Sequence, residues 1–141
     1  MDYTAMSTQP LRRQTLVLVT DQFQCERIIK AGRAIAGITH TQLRVFHISA
    51  EGHTSDPEAL QYLYNAAKQN GSVLEIAYNS DFMGAITETL ESTNTVNVIT
   101  GQPGDENSVL YILWDRFPGI KFFTADADGR LDMVGAVRVA D

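Results

Sequence analysis

The run Thr15-Leu-Val-Leu-Val-Thr20 is apolar and β-branched, with no polar interruption. A strand that is wet on one face alternates apolar with polar residues. An unbroken apolar run instead fits a strand covered on both faces, as in parallel sheets flanked by helices. The chain leaves this strand through helix formers: over residues 22–38, Ile28, Ala31, Ile35 and Ile38 recur at three- and four-residue spacing, with Lys30 and Arg33 between them, which predicts a helix with one apolar stripe. The period returns to two over residues 42–49, where Leu43, Val45, Phe46 and Ile48 mark a second strand.

The alternation then repeats. Ser55 followed by Glu58 reads as a capping box, Pro57 falls in the first turn, and Leu60, Leu63, Tyr64 and Ala67 carry a helix to Asn70-Gly71. Residues 72–77 form a third strand. Ser80 or Asp81 caps a helix whose stripe is Phe82, Met83, Ile86 and Leu90. Residues 95–100 are a fourth strand, and Gly101-Gln-Pro-Gly104 is a tight loop. Leu110, Leu113, Trp114 and Phe117 mark a helix ending at Pro118-Gly119, and residues 120–125 are a fifth strand. Strands joined through helices pair in parallel by right-handed crossovers. The expected fold is therefore α/β: a doubly wound, mostly parallel five-stranded sheet. Asp128-Gly129 is a preferred two-residue hairpin dipeptide, so Leu131 to Val139 is expected to add a sixth, antiparallel strand. The reading is a single domain over 14–141 behind a flexible polar leader, residues 1–13.

Composition narrows the function. With 141 residues, 44% apolar and 20% charged, the chain is the size and make-up of one globular domain. Eleven basic against seventeen acidic residues give a net charge of −6, which argues against a nucleic-acid or anionic-membrane surface. One cysteine, Cys25, leaves no internal disulfide and no zinc spacing, and Cys25 is read as a small packed residue. His40, His47 and His53 share no metal-ligand spacing and receive no role. No apolar run approaches the length of a bilayer span or a secretory signal, so a cytoplasmic location is expected. The nucleophile-elbow, P-loop and adenylyl-transfer signatures are all missing from the sequence, so no enzymatic activity is expected.

In an open α/β sheet, ligands bind at the carboxyl ends of the strands, where the strand order reverses. This singles out the loops after the first and fourth strands. Gly101 and Gly104 offer bare backbone to an anion, and Asn107 and Ser108 open the following helix at its positive end. Such a loop serves equally as a plain strand-to-helix turn, and Asp105 and Glu106 set two carboxylates beside it. Thr20 and Asp21 end the first strand, and Asp21 reads either as a ligand contact or as a helix cap.

The stretches Leu16 to Arg27, Asp81 to Leu90 and Val98-Ile-Thr-Gly-Gln-Pro-Gly104 resemble the universal stress protein family over residues 14–125. Within that family they are most similar to the stress-protein-like module of Kdp potassium-sensor histidine kinases, through Gln22 to Ile29. The resemblance implies the strand order 3-2-1-4-5, an adenine nucleotide alpha hydrolase-like fold, and a dimeric sensor or signalling module without catalysis. Its ligand would be an adenine nucleotide, ATP or AMP, with no cofactor required. Nucleotide contacts are then expected at Thr20, Asp21, Gly101, Gly104, Asn107 and Ser108. ATP-binding members follow the G-x-x-G, after nine intervening residues, with a Gly-Ser or Gly-Thr pair. Here Trp114-Asp115 occupies that place, so weaker ATP binding is expected. The competing reading is a dimeric interaction scaffold with a vestigial pocket. In either case the homodimer is expected to form through the C-terminal hairpin.

Overall fold

The structure is a computed structural model and describes residues 12–49, 55–105 and 108–134. The expected leader and the end of the expected sixth strand fall largely or wholly outside those residues.

Six strands form one sheet in the order β3-β2-β1-β4-β5-β6. They are β1 (Gln14–Leu18), β2 (Gln42–Ser49), β3 (Leu74–Tyr78), β4 (Thr95–Gly101), β5 (Lys121–Ala125) and β6 (Leu131–Met133). The first five are parallel, and β6 runs antiparallel to β5. Four helices connect them: α1 (Glu26–Thr39), entered through a short 3₁₀ turn (Phe23–Cys25), α2 (Pro57–Gln69), α3 (Phe82–Ser92) and α4 (Val109–Arg116). This is the doubly wound α/β fold expected, with its reversal of strand order between β1 and β4.

The two faces of each central strand feed two cores. Val17, Val45, Ile99 and Phe123 pack with Ile28, Ile29 and Ala36 of α1 and Leu63 and Ala67 of α2. Leu16, Phe46, Val98 and Phe122 face the other way, onto Ile86 and Leu90 of α3 and Leu113 of α4. The unbroken apolar run of β1 is thus divided residue by residue between the cores. At the amino end of the sheet a polar cluster fixes the register. The Asn97 amide donates to Thr15 Oγ1 at 3.0 Å and to Thr39 Oγ1 at 3.1 Å, and Thr15 and Thr41 share a hydrogen bond of 2.5 Å. Thr15 and Asn97 are buried, where polar groups left without partners would be costly.

Four local expectations are corrected. The stripe of α1 is Ile28, Ile29, Ala31, Gly32 and Ala36, and Ile38 is 74% exposed. Gly32 is what rolls the helix. A Cβ placed there would lie 2.2 Å from Val17 Cγ2, so the helix rests on β1 through bare backbone and Ile38 turns outward. The α1 helix itself begins at Glu26, with the expected residues before it taken up by the 3₁₀ turn. The cap of α2 is Asp56, not Ser55. Its carboxylate accepts from the N–H groups of Glu58 and Ala59 at 3.0 and 3.3 Å, while Pro57 sits at the first helical position, where no N–H is needed; Ser55 Oγ instead meets Ser49 Oγ at 3.3 Å. Finally, the β5–β6 loop is longer than two residues. The Asp126 N–H donates to the Arg130 carbonyl and the Gly129 N–H to the Asp126 carbonyl, each at 3.0 Å, with Gly129 at φ +83°. This is a turn followed by a left-handed residue, the usual three-residue hairpin. Of the two residues offered as cap of α3, Asp81 fills the place, accepting from the Gly84 N–H at 3.0 Å.

Candidate functional site

At the carboxyl ends of β1 and β4, where the crossovers diverge to opposite faces, lies a cavity of about 610 Å³. That volume is within the ~300–1,000 Å³ of small-molecule sites. Leu18, Ile28, Phe46, Ile48, Phe82 and Leu110 supply apolar walls; Thr20, Gln22, Gln24, Thr100 and Gln102 supply polar groups; Gly101 and Gly104 contribute backbone.

Thr20, Gly101 and Gly104, singled out from sequence, are brought together on this cavity. Gly101 is the last residue of β4, paired with Ala125. A Cβ at Gly104 would meet nothing within 4 Å, so the backbone there is open to approach. Asp21 and Ser108 are not among the described residues that line the cavity. The Asp21 Oδ2 accepts the N–H of Asp56 at 2.9 Å, which turns its carboxylate toward the start of α2. The cap positions of the 3₁₀ turn and of α1 are Gln22 and Cys25, so Asp21 stands outside both. Ser108 caps α4 by accepting the Leu110 N–H at 3.2 Å. Asn107 lies outside the described residues.

Cys25 is buried in the cavity wall, its Sγ 3.4 Å from Thr20 Oγ1, which fixes the Thr20 side chain against the 3₁₀ turn. Behind it, the buried His47 ring holds the carbonyl of Val19 through Nδ1 at 2.9 Å. The end of β1 is therefore tied on both sides just before it reaches the cavity.

One residue that the sequence analysis passed over stands in the site. Arg27 lines the cavity and donates from Nε to the Asp126 carbonyl at 2.6 Å and from Nη1 to the Gln24 carbonyl at 2.7 Å. The available signal was its position: a cation in the first turn of a helix opposes the helix dipole and requires some other partner. The Asp126 carboxylate is held below the usual carboxylate range, first by the N–H of Arg130 and then by that of Asp128, with the charges of Arg130 and Arg27 adding to the effect.

Among the described residues no group of three or more His, Cys, Asp or Glu is arranged to hold a metal, and no helix is long and apolar enough to cross a membrane. No family model matches the chain, and no curated protein matches it at a significant level.

Proposed function

We propose that this chain is a non-enzymatic, stress-protein-like sensor or signalling module that binds an adenine nucleotide in the cavity between β1 and β4. The observation that supports it is the cavity's position. It opens at the reversal of strand order, where α/β sheets take ligands, and it joins apolar walls able to hold a flat base to a glycine loop able to receive an anion. Asp105 follows Gly104 directly and repels a polyphosphate, so ATP binds weakly.

Calorimetric titration of the purified chain with ATP, ADP, AMP and cyclic dinucleotides tests the proposal. Adenine nucleotides bind, and Gly104→Val, which sets a branched side chain on the open backbone, abolishes the binding. Unchanged affinity in that variant moves the site elsewhere, and no heat with any of these ligands overturns the reading.

A second reading, a homodimeric interaction scaffold, is favoured by the outer surface beside β6. Tyr111 of α4 and Met133 of β6, 45% and 41% exposed, line one groove with Trp114, Phe117 and Ile120. Exposed apolar side chains that share a groove mark contact surfaces.

A further inference from the structure

Among the described residues lining the cavity, Arg27 is the one that carries a formal charge. A guanidinium has five N–H donors in a rigid fork. The carbonyls of Asp126 and Gln24 take two of them, leaving three N–H groups, both of those on Nη2 included, with no acceptor among the described residues. The ion pairs found there are Lys30–Glu26 and Arg44–Glu75, and Arg27 belongs to neither. Its Nη2 lies 4.0 Å from where a Cβ on Gly101 would stand, so the free edge of the fork is beside the bare backbone of the glycine loop. In a chain of net charge −6, a half-buried cation that belongs to neither close ion pair, feels the Asp126 carboxylate only as a nearby charge and is already ordered by two carbonyls, is prepared for a bidentate oxyanion contact.

We propose that Arg27 is the phosphate anchor of this cavity and that it suits the site to a nucleoside monophosphate; this rests on the adenine-nucleotide reading above. One phosphoryl group seated on the Arg27 fork and the Gly101 backbone completes the unused donors. Further phosphates would extend along a loop that leads to Asp105 and bring no second cation into contact, since none lines the described cavity.

The test uses the full chain, wild type and R27Q and R27K variants, titrated with adenosine, AMP, ATP and inorganic phosphate. Calorimetry is combined with the NMR signals of the Arg27 Nε–H and the Gly101 amide. In the wild type, AMP binds at least about tenfold more tightly than adenosine, in line with a charge-assisted contact, ATP binds no more tightly than AMP, and salt weakens AMP but not adenosine. R27Q brings AMP to the level of adenosine and leaves adenosine within about twofold, and R27K recovers part of the difference. AMP bound no better than adenosine, or equally well by R27Q, overturns the anchor; ATP bound well above AMP overturns the monophosphate preference. If all three adenine compounds fail while phosphate shifts both signals, the adenine reading falls and the anion anchor stands. If nothing binds, both fall. Because Arg27 also fastens the β5–β6 turn, the melting of R27Q is measured first. Should that variant unfold, the wild-type comparison of AMP with adenosine decides.

Discussion

Asp21 and Asp56, 35 residues apart, are joined by a hydrogen bond of 2.9 Å from the backbone N–H of Asp56 to the carboxylate of Asp21. Asp56 in turn uses its own carboxylate on the first N–H groups of α2. The two acids form a relay that ties the loop after β1 to the start of α2.

The first prediction follows from that relay. Asp21→Ala should lower stability by about 1 kcal/mol, the usual worth of such a bond, and leave adenine-nucleotide affinity within about twofold. Denaturant unfolding and calorimetry on the same preparation check both. A variant of unchanged stability that no longer binds would make Asp21 a ligand contact.

Two glycines of α1 should respond oppositely to alanine. At Gly32 the methyl group meets Val17 Cγ2 at 2.2 Å and Leu43 Cδ1 at 3.3 Å, and overpacking of that kind costs about 1–3 kcal/mol, more than the ~1 kcal/mol alanine contributes to a helix. At Gly37 nothing lies within 4 Å, so only the helix preference acts and Gly37→Ala should stabilise by about 0.5–1 kcal/mol. Thermal melts of the two variants should move in opposite directions.

The third prediction concerns acid. The Asp126 carboxylate accepts the N–H groups of Asp128 and Arg130 at 2.8 and 2.9 Å, and the Arg130 N–H is the main cause of its lowered pKa. A carboxylate whose folded pKa lies below the unfolded value of about 3.9 contributes stability that is present above that value and lost as pH falls through the folded one. The difference in denaturant midpoint between wild type and Asp126→Asn should therefore be largest above about pH 4 and shrink on further acidification. A difference that stays constant or widens in acid would contradict the assignment.

The fourth addresses assembly. Light scattering on the full chain should give a dimer at micromolar concentration, and truncation after Asp128 should give a folded monomer. Met133→Glu, which sets a charge on the exposed face of β6, should also shift the balance to monomer. A monomeric full-length chain would remove the dimer proposal.

The order of elements could be read because the hydrophobic period switches cleanly between two and 3.6 along the chain, and β1 cannot alternate when each of its faces feeds a core. What could not be read depends on contacts distant in sequence. Ile38 satisfies the helical spacing, and only the approach of Gly32 to Val17 turns it outward. Ser55 and Asp56 are both good caps, and Pro57 decides in favour of the residue directly before it. In the site, Thr20, Gly101 and Gly104 follow from topology, since loops after adjacent strands must meet. Arg27 does not, because its partners include a carbonyl 99 residues away.

That separation also sets an order of events during synthesis. The guanidinium and one of the two carbonyls that orient it lie 99 residues apart, so the fork is not fully held until β5 has docked on β4 and the following turn has closed. Contacts spanning such distances form late, because the chain must first give up the entropy of the intervening loop. A chain that has completed β1 through α4 therefore carries the described cavity lining but lacks the carbonyl that holds the Arg27 Nε–H. If Arg27 anchors a phosphate, capture therefore follows the closing of the β5–β6 turn.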